Sequence, residues 1–150
     1  MSGKMVLGND ASSSSSDMVD TNKNLSVLVV DDDPLLRMFH DSYFKHFGLK
    51  TQVTQNGKKA VDLFHLGASF DLILMERDMP VMDGVEATKV LRAMGVNSMI
   101  VGLTAPISRR EKRDFMAAGL NYCFEKPLSI NMASFLLKEL NKNNIGSNNN

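Results

Sequence analysis

The sequence predicts an α/β fold on a parallel sheet, with five βα units in succession. Three observations carry that expectation. Short apolar runs alternate with amphipathic stretches at helical spacing, the pattern of strands joined by crossover helices. The first run, Ser26-Val27-Leu28-Val29-Val30, is continuous rather than alternating, as a strand covered on both faces requires. Four of the amphipathic stretches also end at a glycine, namely Gly48, Gly67, Gly95 and Gly119.

The elements follow in order. After the strand at 26–30, Asp33-Pro34 opens a helix, with Asp as N-cap and Pro at the first helical position. Leu35, Met38, Phe39 and Phe44 keep helical spacing as far as Gly48. A second strand is expected at 51–54 and a helix at 57–66. The third strand is 72–75, and Asp83-Gly84 then starts a helix reaching Met94. A strand at 99–103, a helix at 108–118, a strand at 122–124 and a helix at 131–140 complete the five units. Periodicity does not give the strand order, although right-handed crossovers restrict it.

At 150 residues the chain suits one domain with its own core. Residues 1–24 are polar with a run of serines from Ser12 to Ser16, and 142–150 are Asn-rich. Both are expected to stay disordered, because they bury too little to offset their ordering entropy. The folded unit is therefore placed at 25–141. Zero formal net charge leaves no footprint for nucleic acid or a membrane surface. No apolar run approaches the ~20 residues of a spanning helix, and Lys4 is followed by no signal-peptide core. The single cysteine, Cys123, excludes an internal disulfide and fits a reducing compartment. An intracellular soluble monomer, in cytoplasm or nucleus, is the expectation.

In doubly wound sheets, ligands bind beyond the carboxyl ends of the strands. Here those ends carry Asp31 and Asp32, Glu76, Thr104 and Lys126, all on one edge of the sheet. Three clustered carboxylates repel one another unless a cation is present. Oxygen-only donors suit a hard ion such as Mg²⁺. Lys126 offers a point charge and Thr104 a hydroxyl to a phosphate, and phosphoryl transfer asks for little more than positioning and neutralisation. Each residue alone reads equally well as a cap or a turn. Their joint occurrence, each at a strand end, is the signal.

Four stretches carry a family likeness: Val29-Val30-Asp31-Asp32-Asp33-Pro34, the run from Asp71 to Gly84, Gly102-Leu103-Thr104-Ala105 and Glu125-Lys126-Pro127. Residues 25–141 resemble the receiver domains of the response regulator family, the phosphoacceptors of two-component phosphorelays. The segment from Met79 to Lys89 is most similar to plant receivers. The resemblance implies a flavodoxin-like sheet ordered 2-1-3-4-5. It also implies that Asp31 and Asp32 are the metal-binding acidic pair, with Asp78 adding a backbone carbonyl to Mg²⁺. Thr104 would be the switch hydroxyl and Lys126 the phosphoryl-contacting lysine. Glu76 stands at the acceptor position, as a further metal neighbour. The implied partner is a histidine-containing phosphotransfer protein, meeting Leu35, Leu36 and Phe39 on the first helix, with Pro127 and Leu128 opposite. No output domain is read, so an effect on transcription would pass through that partner.

Two departures stand out. The aromatic switch position three residues before the lysine is Cys123, and strand alternation sends the adjacent Tyr122 to the other face. The acceptor position carries Glu instead of Asp. The extra methylene adds about 1.5 Å of reach, and a misplacement of about 1 Å can cost roughly 10²-fold in an in-line reaction. Asp78 and Asp83 do not hold the strand-end register that would let them substitute. Glu76 is thus expected to make the chain a pseudo-receiver, not an enzyme, that acts by protein–protein interaction. The alternative is a receiver whose Asp is replaced by a phosphomimetic Glu and which regains competence on restoring Asp. A flavin-binding role is disfavoured, because Asp31-Asp32-Asp33 stands where a phosphate loop would be. His40, His46 and His65 read as ordinary, partly exposed helix residues, and most of the 11 methionines as core filler.

Overall fold

The computed structural model describes residues 24–149, with side chains as far as residue 143. The serine-rich segment expected to be disordered lies outside the described residues. Five strands form one parallel sheet: β1 (Ser26–Val30), β2 (Lys50–Thr54), β3 (Leu72–Glu76), β4 (Met99–Thr104) and β5 (Tyr122–Glu125). Their order is β2-β1-β3-β4-β5. Five helices join and close them: α1 (Pro34–His46), α2 (Gly57–His65), α3 (Gly84–Ala93), α4 (Arg109–Ala117) and α5 (Ile130–Asn149).

Strand alternation divides the core in two. Val27, Val29, Leu72, Leu74, Val101 and Leu103 face Phe44 of α1 and Ala133, Leu136 and Leu137 of α5. Leu28, Val30, Ile73, Met75 and Ile100 face Ala60, Ala87, Leu91 and Phe115 of α2, α3 and α4. The central strands β1, β3 and β4 are buried nearly throughout, which is why their sequences are unbroken apolar runs. Edge strand β2, Lys-Thr-Gln-Val-Thr, is half exposed and correspondingly polar.

The cap read at Asp33 is present, and two further helices carry caps of their own. Asp33 accepts from the Leu35 and Leu36 amides at the start of α1, and Asp83 accepts from the Glu86 amide at the start of α3. Ser108 and Glu111 close a reciprocal capping box on α4. Helix α5 runs to Asn149, past the expected end at Leu140 and into the Asn-rich stretch. Once a turn exists, each added residue gains one hydrogen bond, so moderate helix formers such as Asn can follow.

Two side-chain expectations are corrected. His40 is fully buried rather than partly exposed, because it shares the inward stripe of α1 with Phe44 one turn on. Leu128, expected on the partner surface, is also fully buried, packed into the α1/α5 core as the chain turns from β5 into α5. Most described methionines fill the core as expected: Met75 and Met79 are buried and Met82, Met99 and Met116 pack against it, whereas Met38, Met94 and Met132 stand exposed.

Candidate functional site

The strands run farther than their apolar stretches. Glu76 and Thr104 are the last residues of β3 and β4, so sheet hydrogen bonding fixes their backbones. Glu76 pairs in register with Leu103, and the Lys126 amide donates to the Thr104 carbonyl at 2.9 Å. The structure thereby brings Asp31, Glu76, Thr104 and Lys126 to one sheet edge.

Glu76 is the centre of the site, only 2% exposed. Its Oε1 accepts from the Asp78 amide at 3.2 Å. Its Oε2 lies 2.8 Å from Lys126 Nζ. Burial pushes the Glu76 carboxyl up from its ordinary range, and the Lys126 ammonium and the Asp78 amide pull it back. On the Lys126 side, burial alone would lower the ammonium, but Glu76, Asp31 and Asp32 together raise it, so the lysine stays charged. The longer Glu arm thus engages Lys126. The Thr104 hydroxyl instead donates to the Ala105 carbonyl at 2.8 Å.

Asp31 is buried beside this pair while Asp32 is exposed. Asp31 Oδ1 accepts from the Asp33 amide at 2.9 Å, and its buried Oδ2 has no hydrogen-bond partner. Burial raises the Asp31 pKa, against the lowering effect of the Asp33 amide and of Lys126. An unpartnered buried carboxylate oxygen next to a solvated carboxylate, with oxygen donors only, fits a hard cation that keeps most of its waters. Asp31 and Asp32 are the residues that would hold Mg²⁺. Among the described residues no group of three or more His, Cys, Asp or Glu side chains converges in a metal-holding arrangement. The Asp78 carboxylate turns to Arg77 Nη1 at 2.8 Å, and Asp83 is engaged as the α3 cap, so neither stands in for Glu76.

The loop after β3 folds tightly over the site. The Gly84 amide donates to the Arg77 carbonyl at 2.8 Å, and a Cβ at Gly84 would lie 2.1 Å from the Glu76 carbonyl oxygen. Between them, Val81 has φ of 72° and is 77% exposed, with the Met82 amide bonded to the Pro80 carbonyl at 2.8 Å. This is a strained γ-turn, rare for a β-branched residue. Cys123 faces the α2/α3/α4 core and Tyr122 the opposite core, as alternation required. Burial pushes the Cys123 thiol up, keeping it protonated.

Beside the site, Leu35, Leu36, Met38, Phe39, Ser42 and Pro127 line one apolar groove. Four of the five residues expected at a partner surface meet there, and Met38 joins them. His40, read from sequence as an ordinary, partly exposed helix residue, is buried with its ring 5.6 Å from that of the groove residue Phe39. Its Nε2 accepts from the Leu128 amide at 3.1 Å. Its spacing from Phe44 was the signal that could have found it.

The sequence profile described as the response regulator receiver domain matches residues 27–141. Two-component response regulator ARR22 of Arabidopsis thaliana is 53% identical over 109 residues, covering 71% of this chain and 77% of its own length. Two-component response regulator 24 of the same plant is 46% identical over 117 residues, covering 78% and 84%. Among solved structures, a Francisella response regulator receiver domain superposes with a TM-score of 0.73 at 30% identity, over 81% of this chain and 99% of that one. A structure of the Saccharomyces cerevisiae histidine phosphotransfer protein Ypd1 with the receiver domain of Ssk1 matches with a TM-score of 0.72 at 26% identity, over 80% and 90%.

Proposed function

This chain belongs to the response regulator receiver family, and from that premise we propose that it is a pseudo-receiver of a His-to-Asp phosphorelay. In this reading it binds a histidine-containing phosphotransfer protein without accepting phosphate at Glu76. The observation that carries it is the pair of buried Glu76 with half-buried Lys126 at 2.8 Å. In a working receiver the acceptor carboxylate attacks phosphorus and a lysine neutralises the incoming oxygens. Here the lysine is already committed to the would-be nucleophile. The second Glu76 oxygen is held by the Asp78 amide, so neither oxygen is free to move in line without breaking a contact. Bound Mg²⁺ would add charge neutralisation at Asp31 and Asp32.

The same pair supports the phosphomimetic alternative in part. A carboxylate on Lys126 reproduces one contact of a phosphoryl group, but with less charge and fewer acceptor oxygens. Thr104, whose hydroxyl bonds Ala105, does not join it.

The partner surface in this proposal is the groove of Leu35, Leu36, Met38, Phe39 and Pro127. Leu35 is 70% exposed, Met38 60% and Phe39 41%, an apolar cluster beside the site whose covering favours association. The test mixes the native chain with a phosphorylated histidine phosphotransfer protein and Mg²⁺. A complex should form with no phosphate on this chain. Phosphate recovered on Glu76, or no complex at all, would contradict the reading.

A further inference from the structure

We infer that His40 is a positioning residue: it fastens the loop after β5 to α1, fixing Pro127 against the groove and Lys126 against Glu76 together. The binding half of this inference rests on the function proposed above; the Lys126 half does not.

His40 is fully buried, a place where an aromatic or aliphatic residue would pack without desolvating two ring nitrogens. Its Nε2 accepts from the backbone amide of Leu128, a residue 88 positions away in sequence. Leu128 is itself fully buried, and it lies two residues beyond Lys126 and one beyond Pro127. An apolar residue at position 40 would leave the Leu128 amide without this acceptor. The ring also sits among the aromatic side chains of the same helix, 5.6 Å from Phe39 and 6.3 Å from Tyr43 between centroids. Phe39 lines the groove, so His40 touches the partner-facing aromatic on one side and the Lys126 loop on the other.

The protonation state agrees with this bond. Burial first, and the nearby Lys126 charge second, hold the His40 pKa down to about 4, leaving the ring neutral at physiological pH. With Nε2 accepting, the proton belongs on Nδ1, a buried atom without a hydrogen-bond partner. That tautomer is a direct consequence of the proposed role.

The experiment compares His40→Leu, which keeps bulk and loses the acceptor, with His40→Gln, whose side-chain oxygen reaches a similar position. Both are made in the native chain, for binding to the phosphotransfer protein, and in the Glu76→Asp background, for labelling by a small phosphodonor with Mg²⁺. His40→Leu should lower affinity and labelling rate about tenfold each, equivalent to about 1.4 kcal/mol. His40→Gln should restore both to within about twofold. A folded His40→Leu variant matching its parent in both assays overturns the inference, as does a Gln variant as impaired as Leu. If Glu76→Asp labels normally but no partner binds, the partner reading fails while His40 is still judged by its labelling rate. Should His40→Leu not fold, nitrogen NMR of the native ring decides. A proton on Nδ1 at neutral pH is expected, and a proton on Nε2 overturns the role.

Discussion

One methylene separates Glu76 from an ordinary acceptor, and its effect is read in the company the carboxylate keeps. It is buried and bonded to Lys126, and in the proposed reading those contacts keep it from acting as a nucleophile. Removing the lysine should expose how much the pair matters. Breaking a buried ion pair from one side costs about 3–5 kcal/mol. Because the Lys126 side chain is 22% exposed, Lys126→Met should destabilise by about 2–3 kcal/mol, measured by urea denaturation. Much of that loss should be recovered by adding Glu76→Gln, which removes the stranded charge. Val81 offers the opposite case. Its γ-turn backbone is strained for a β-branched residue, so Val81→Gly should stabilise by about 1 kcal/mol in the same assay. His40 adds a pH signature. A folded pKa near 4 against an ordinary 6.5 means the unfolded chain binds the extra proton between those values. The contribution is therefore complete above about pH 6.5 and is lost as pH falls toward 4, amounting to about 3 kcal/mol. Asp31 and Glu76, whose pKa values are raised, act in the opposite sense. The effect is isolated as the difference between native and His40→Gln stability curves from pH 4 to 7.

At the scale of elements, the site is made by strand ends and the short loops that follow them. Central strands were legible because burial on both faces demands unbroken apolar runs, and the start of α1 because Asp33 before Pro34 is a cap with a physical reason to be there. Strand ends were harder to read. Glu76 and Thr104 are polar, so they interrupt the apolar signal although the ladder includes them. The inward turn after β5 was not legible either. A Leu after Lys-Pro looks like loop surface, and only the tertiary contact with His40 and the α1/α5 core shows it buried. The loop after β3 makes a sharper demand. A methyl group at Gly84 would meet the Glu76 carbonyl itself, and backbone has no easy way to give. Gly84→Ala should therefore cost on the order of 3 kcal/mol, and helix α3 should show faster amide exchange. On α1, Phe39→Ala removes an exposed groove residue. It should leave the melting temperature nearly unchanged and weaken partner binding about tenfold.

Across the whole molecule, one sheet edge gathers the chemistry and one flank of that edge gathers exposed apolar surface. The five-stranded order puts Asp31, which follows β1, beside Glu76 of β3, the point where strand order reverses and where such folds bind ligands. Strand order itself came from family likeness, not from periodicity, since apolar runs do not encode which neighbour they pair with. With zero net charge, the proposed association with a partner rests on the apolar groove rather than on long-range steering. Among the described residues no helix is long and apolar enough to cross a membrane. Asp31, Asp32, Thr104 and Lys126 are still present at this edge, so the proposed reading assigns the block to position 76. The most direct measurement is the intact mass of the native chain and of Glu76→Asp after treatment with a small phosphodonor, with and without Mg²⁺. The native chain should show no change, and the Asp variant should gain one hydroxylamine-labile phosphate only when Mg²⁺ is present. Phosphate on native Glu76, or an Asp variant that stays inert with Mg²⁺, would contradict the proposed reading.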